Sequence, residues 1–321
     1  MSDCYALKLT ERSDLYIMEI IMDVSIIIVN YNTKELTRDC LKSIFERTNG
    51  FAFEVIVSDN GSTDGSLEMI RTEFPQVVLI ENGANIGFGA ANNRALDVAK
   101  GKYVFYLNSD TVLLNNAVKM FFDFWENSSE KESIGALGGV LLDENMDTIH
   151  SGAPFPTYAL LCKGQFNYIK SHAFRSLLHV LHLDGAWQKR KDAISMRISV
   201  RTGETHGYIT GADLFLLNDS NARFDEHFFM YLEETDLELG LAEQGLKRFI
   251  IAGPKIQHLT RKIGGKDFVV KFQQVCVQES AVYYARKNFG SKARLLRFLI
   301  WLDRLNPLVR KMVGRIPVRE L

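Results

Sequence analysis

The run from Val24 to Asn30, VSIIIVN, is apolar at consecutive positions, so a strand built from it needs cover on both faces. A sheet of parallel strands with helices packed on either side provides that cover. The next segment, KELTRDCLKSIFERT, sets Leu36, Cys40, Leu41, Ile44 and Phe45 at helical spacing, with Thr33 placed to cap it and Gly50 to stop it. The unit then repeats: FEVIVSD reads as strand, DGSLEMIRTEF as helix, VVLIEN as strand, GAANNRALDVAKG as helix, and YVFYLNSD as a strand running into a loop. This alternation predicts an α/β fold. In such sheets ligands bind in the crevice at the carboxyl ends of the strands.

Every polar cluster in the first half falls at such an end: Asn30-Tyr31-Asn32, Ser58 to Asp64, Asn82 to Asn93, and Asn108-Ser109-Asp110. Any one of them alone reads first as turn and cap residues for the next helix, because Asn, Ser and Asp fill those positions routinely. Four such clusters at neighbouring strand ends point to a site. Gly87-Phe88-Gly89 invites a dinucleotide-binding reading, but Asn92 stands where the third glycine belongs and the loop follows the third strand instead of the first.

The second half contributes GYITGADLFLL, read as a strand whose small Gly211 and Ala212 let a ligand approach the backbone. It then contributes FDEHFFMYLEETDLELGLAEQG, with Glu233, Glu234 and Asp236 at the mouth of a helix. Neighbouring carboxylates raise one another's pKa and move one toward useful basicity. An acidic first turn is also what the helix dipole favours, although it does not account for three acids beside an aromatic FFMY run. His258 closes the apolar segment KRFIIAGPKIQH, where a lone histidine fits either a metal ligand or a satisfied structural group.

Together, VSIIIVNYN, VSDNGSTDGS, NIGFGAANNRAL, YLNSD and FFMYLEETDL resemble glycosyltransferase family 2, within it the rhamnosyltransferase-like branch, from Val24 to about His258. The resemblance implies a GT-A fold: a Rossmann-like mixed sheet flanked by helices, here with a C-terminal helical extension. It implies sugar transfer from a nucleotide diphosphate sugar with inversion. Asp59 then accepts from the base imide, Tyr31 and Asn32 contact base and ribose, and Asn30 and Asn60 belong to the same nucleotide-sugar set. The Gly87 loop closes over the nucleotide, with Asn92, Asn93 and Arg94 on the diphosphate side.

The resemblance further makes Asp110 a ligand of a divalent metal, Mg²⁺ or Mn²⁺, with His258 as a second ligand. The family's D-x-D pattern carries an acid at its first position, where this chain has Asn108, so Asn108 and Ser109 join Gly211 and Ala212 as sugar or ribose contacts. Glu234 is the expected base, Glu233 the second choice, and Asp236 a holder of local backbone or of an acceptor hydroxyl.

These readings divide the chain into a tail over 1–22, a GT-A domain over 23–265 with an acceptor-side insertion at 158–206, and a basic amphipathic helical region over 266–321. The stretch before Met22 lacks the layout of a signal peptide, and the start of translation is open between the first residue and the later Met18 and Met22. With 38 Lys and Arg against 39 Asp and Glu, the net charge of -1 excludes a global nucleic-acid-binding surface. The four cysteines, Cys4, Cys40, Cys162 and Cys276, show no zinc spacing and suit a reducing compartment.

No apolar run reaches the roughly 20 residues of a membrane-spanning helix. From Arg286 onward, however, Arg294, Arg297, Arg304, Arg310, Lys311, Arg315 and Arg319 alternate with Leu, Phe, Ile and Trp301, a pattern that fits the cytoplasmic face of an inner membrane or a homodimer interface. The expected partners are the donor, best read as dTDP-rhamnose, and a polyprenyl-diphosphate-linked saccharide acceptor of cell-surface polysaccharide synthesis. The alternatives are a UDP-sugar transferase for a hexose or galactofuranose, or a non-catalytic sugar-nucleotide-binding relative.

Overall fold

The computed structural model describes residues 22–180, 201–259 and 266–305, together with residues 7–8 and 19–20. In chain order the strands are β1 (Leu7–Lys8), β2 (Glu19–Ile20), β3 (Val24–Asn30), β4 (Phe53–Asp59), β5 (Val78–Glu81), β6 (Tyr103–Leu107), β7 (Thr111–Leu113), β8 (Ile134–Leu142), β9 (Gly152–Ala153), β10 (Gly203–Thr205), β11 (Tyr208–Ile209), β12 (Asp213–Leu217) and β13 (Lys247–His258). The α-helices are α1 (Lys34–Arg47), α2 (Ser66–Glu73), α3 (Phe88–Leu96), α4 (Ala117–Asn127), α5 (Tyr158–Val180), α6 (Glu233–Glu243), α7 (Lys266–Phe289) and α8 (Ala293–Leu305). The chain divides into two compact units: Met1–Phe155, Ser199–Phe229 and Glu233–Arg261 form one, and Pro156–Ile198, Met230–Leu232 and Lys262–Leu321 the other.

The first unit is built on a mixed sheet in the order β10, β13, β8, β12, β6, β3, β4, β5, with β7 pairing β13. β3, β4, β5 and β6 run parallel, whereas β12 lies antiparallel between β6 and β8. The double-sided apolar run of β3 explains the layering. Ile26 and Ile28 enter one core with Cys40, Leu41 and Ile44 of α1 and Phe121 and Trp125 of α4, while Ile27 enters the other with Ala95 of α3 and Leu237 and Leu241 of α6. All three isoleucines are fully buried, worth roughly 1.5–3 kcal/mol each relative to exposure.

Two elements differ from the sequence reading, and a third is more irregular than a plain strand. Residues 208–217 form two short strands, β11 and β12, because the backbone turns at Thr210 to Ala212, where Thr210 N donates to Ser151 O at 3.1 Å. The apolar segment ending at His258 is a long strand whose register against β8 shifts between Ile251 and Lys255, where Gly253 (φ 119°) and Pro254 interrupt the ladder. Part of the expected tail is strand, since Leu7–Lys8 pairs with Glu19–Ile20.

In the second unit the expected insertion, for which the sequence reading predicts no helix, begins with the 23-residue helix α5. Its period is blurred because Leu160 and Phe166 stay exposed while Leu161 packs inward. α7 and α8 provide the helices expected in the C-terminal region; residues 181–200 of the insertion, and Arg310, Lys311, Arg315 and Arg319, lie outside the described residues. None of the described helices is long and apolar enough to cross a membrane.

Candidate active site

All the candidate site residues lie in the first unit, at the ends of β3, β4, β6 and β13, at and along α3, in the turn between β11 and β12, and at the start of α6. Asn30, fully buried at the end of β3, is a junction. Its Nδ2 donates to Asp59 Oδ2 at 2.6 Å and to Ser62 Oγ at 3.0 Å, and its Oδ1 accepts from Thr33 Oγ1 at 2.6 Å and Thr37 Oγ1 at 2.7 Å. Asp59 also accepts from the Gly61 and Ser62 amides at 3.0 and 2.8 Å, so three of about four acceptor positions are committed to the turn. Asn32 sits at φ 55° and accepts from Thr63 N at 2.8 Å, while its own amide donates to Ser62 Oγ at 2.9 Å. Between them Tyr31 stands 47% exposed, an aromatic face open to a planar ligand.

The next layer is an amide ladder. Asn60 Nδ2 donates to Gly87 O at 3.1 Å and Asn60 Oδ1 accepts from Asn82 Nδ2 at 2.9 Å; Asn82 Oδ1 in turn accepts from Arg94 Nη1 at 3.0 Å. Gly87 must be glycine: φ is 97°, and a Cβ there would lie 2.6 Å from Phe229 O.

Asn92 and Asn93 differ from the expectation that both face the diphosphate. Each is 1% exposed; Asn92 donates to Phe88 O at 3.0 Å, and Asn93 clamps residues 224–226 through Phe224 N, Phe224 O and Glu226. Tertiary bonding holds the Asn93 amide, Asn92 is buried and bonded back along its own helix, and exposed Arg94 is the member of the trio with a charge turned to solvent.

At the end of β6, Asn108 N donates to Ala212 O at 3.0 Å, and Asn108 O accepts from Thr111 Oγ1 at 2.7 Å, which fixes the loop carrying Asp110. Ser109 Oγ lies 3.2 Å from Thr33 Oγ1 and so joins this loop to the Asn30 junction. β7 pairs with β13 so that His258 lies opposite Thr111, and Leu259 N donates to Asp110 O at 2.7 Å. This register brings His258 Nε2 to 3.2 Å from Asp110 Oδ1, with both side chains partly open to solvent. No group of three or more His, Cys, Asp or Glu able to hold a metal occurs among the described residues. A carboxylate oxygen and an imidazole nitrogen nevertheless converge at an accessible edge. That pair could hold a divalent cation, which accepts mixed oxygen and nitrogen donors.

The acids lie at the start of α6, directly after two non-glycine residues with left-handed backbone, Tyr231 (φ 72°) and Leu232 (φ 68°), a conformation held at a cost of order 1–3 kcal/mol each. Glu233 is 4% exposed, one of its oxygens lacks any hydrogen-bond partner, and burial followed by repulsion from Glu234 holds it well above the usual carboxylate range. Glu234 is only partly buried, and desolvation raises it to about 7, against the opposing pull of its hydrogen bonds with Thr235. The dipole of α6 favours the charged forms, but desolvation wins. Asp236 is 9% exposed on the same first turn.

Two further buried acids were not singled out in the sequence. Glu238 accepts from Ile209 N through both oxygens at 2.9 and 3.0 Å, and Asp213 accepts from Gly139 N at 2.6 Å; burial raises both well above the usual range. Glu238 carried one legible signal, its i+4 spacing from Glu234 on α6. Gly211 lies beside Glu234: a Cβ at 211 would be 3.4 Å from Glu234 Cβ and 3.5 Å from Cγ. The 209–212 segment therefore touches Glu238 at Ile209, Glu234 at Gly211 and the Asp110 loop at Ala212.

The family profile described as Glycosyl transferase family 2 matches residues 25–182. This stretch is a glycosyltransferase family 2 domain. The match covers the site residues from Asn30 to Asp110 and ends before Gly211, Glu234 and His258. Among relatives, this chain is 32% identical over 124 residues to a poly(ribitol-phosphate) beta-glucosyltransferase of Bacillus spizizenii, covering 37% of this chain and 20% of that protein. It is 24% identical over 227 residues to an N-acetylglucosaminyl-diphospho-decaprenol L-rhamnosyltransferase of Mycobacterium tuberculosis, covering 66% of this chain and 68% of that one. The chain thus spans a fifth of the length of the first of these relatives. A mannosyltransferase of Pyrobaculum calidifontis, solved with GDP-mannose and Mn²⁺, shares the fold at a TM-score of 0.51 and 15% identity, over 91% of this chain and 73% of that one. The mixed sheet with flanking helices is accordingly a GT-A glycosyltransferase fold.

Proposed function

We propose that this family 2 domain transfers a sugar from a nucleotide diphosphate sugar to a lipid-linked saccharide, with inversion at the anomeric carbon. One observation carries the reading. The partly exposed acid near pKa 7, Glu234, rests on Gly211, and the adjoining Ala212 carbonyl holds the loop that bears Asp110. One backbone turn thus ties a candidate base to a candidate diphosphate-binding edge.

In this reading Tyr31 stacks on the base, while Asp59 and Asn32, pre-set by Asn30 and Ser62, line its polar rim. Arg94 faces the diphosphate, and Asn108, Ser109 and the small Gly211 and Ala212 line the sugar. Glu234 takes the proton from the attacking hydroxyl as the new C–O bond forms and the bond to the diphosphate breaks. Glu233, neutral and buried, stays out of proton transfer and keeps a second negative charge away from Glu234. Asp110 and His258 would hold a divalent cation, which when bound neutralises charge on the departing diphosphate. The nitrogen donor favours Mn²⁺ over Mg²⁺, which prefers an all-oxygen set.

The donor is read as dTDP-rhamnose and the acceptor as a polyprenyl-diphosphate saccharide of cell-surface polysaccharide synthesis, because the relative aligned over two thirds of this chain is a diphospho-decaprenol L-rhamnosyltransferase. The enzyme would then work from the cytoplasmic side, peripheral to the membrane. A glucosyl donor is the second reading, favoured by the 32% identity to a glucosyltransferase. Transfer assays with dTDP-rhamnose, UDP-glucose and UDP-galactofuranose onto N-acetylglucosaminyl-diphospho-polyprenol decide between them. Rhamnosylation alone is the expected result, and glucosylation alone would move the assignment to the second reading.

A further inference from the structure

Helix α8 is apolar on two opposite faces. Its inner face, Ala293, Leu296 and Ile300, is buried in a cluster with Ala285, which satisfies the packing a surface helix requires. The outer face nevertheless carries Leu295 at 51% exposure, Phe298 at 52%, Trp301 at 54% and Leu302 at 38%. At 100° per residue these four fall within one side of the helix, and Phe298 and Trp301 stack with ring centroids 5.9 Å apart. Arg294 lies within the stripe beside Trp301 and Arg297 on its flank, both exposed. Among the described residues of α8 the sole acid, Asp303, is 2% exposed and accepts from Gln278, while Arg304 is drawn to Glu279 at 3.8 Å.

We infer that the Leu295, Phe298, Trp301 and Leu302 face of α8 is a docking surface for an anionic phospholipid bilayer, lying in the plane of its headgroups. Large aromatics with adjacent arginines suit that boundary, where rings sit at headgroup depth and guanidinium groups meet phosphate. Charge decides against a second copy of the chain as occupant. A two-fold dimer through this face would set Arg294 and Arg297 against their own images with no exposed acid of α8 to offset them. The inference rests on the reading of a lipid-linked acceptor, and it names the residues that bring the protein to that lipid.

The test is co-sedimentation of the full chain at about 0.15 M ionic strength with vesicles of phosphatidylcholine alone or with roughly a third phosphatidylglycerol. The variants are Phe298→Ser with Trp301→Ser, and Arg294→Glu with Arg297→Glu, each checked by circular dichroism for folding and by light scattering for mass. Wild type is expected to bind the anionic vesicles and not the neutral ones. Both double variants should bind at least about tenfold more weakly while release of nucleoside diphosphate from a soluble donor is unchanged. Absence of wild-type binding, equal binding by the variants, or a change from dimer to monomer in the serine variant would each overturn the inference while leaving the transferase reading intact. Retained vesicle binding in a chain that turns over no nucleotide sugar would sink the transferase reading and support the surface.

Discussion

Gly211 lies against the side chain of Glu234, at a spacing of 3.4 Å between a Cβ built on the glycine and the Cβ of the acid. Alanine fits that gap and a branched side chain does not. Gly211→Val is therefore expected to push Glu234 aside and lower kcat about a hundredfold with the donor KM little changed. Gly211→Ala should stay within a few-fold of wild type. Steady-state kinetics on both variants checks this, and equal loss in both would show that the contact does not position the acid.

The pH dependence follows from Glu234. As a base it works ionised, so kcat/KM should fall about tenfold per pH unit below about 7. Stability runs the other way. The folded pKa lies above the unfolded value, so between about 4.5 and 7 the folded state binds a proton that the unfolded state lacks, and stability declines as pH rises through that window. Glu234→Gln should abolish transfer yet unfold at a higher temperature than wild type at pH 8, by on the order of 1 kcal/mol, with the gap closing toward pH 5. Thermal melts at the two pH values read the sign directly.

Asn30 and Tyr31 are neighbours with opposite duties. Asn30→Ala strands Asp59, Ser62, Thr33 and Thr37 and should cost about 1–3 kcal/mol of stability as well as donor binding. Tyr31→Ala, at an exposed position, should leave stability within about 0.5 kcal/mol and raise the donor KM. Denaturant titration paired with donor titration separates the two.

His258→Ala should leave the fold intact and raise the Mn²⁺ concentration needed for half-maximal activity by about 100-fold, since it removes one of two converging donors. A metal titration that does not move would assign His258 to a structural pairing with Asp110.

The sheet was legible because a double-sided apolar run such as Ile26, Ile27 and Ile28 has few ways to be covered. The placement of the candidate site was legible as a set of strand ends, since topology alone brings Asn30, Asp59 and Asp110 to one edge. What could not be read was where each amide spends its hydrogen bonds. Asn92 and Asn93 sit in the motif beside Arg94, but partners such as Phe224, distant in sequence, consume Asn93. Glu238 and Asp213 were hidden for the same reason, because burial and the amides of Ile209 and Gly139 decide their state. α5 was missed because exposed Leu160 and Phe166 break the helical period.

The most direct test of the transferase account is release of nucleoside diphosphate from dTDP- and UDP-sugars, with Mn²⁺ or chelator, by wild type and Asp110→Ala. The account predicts metal-dependent release from one donor, removed by chelator and lost in Asp110→Ala while the variant still folds. Release that is indifferent to chelator and to Asp110→Ala, or no release from any nucleotide sugar, would contradict it.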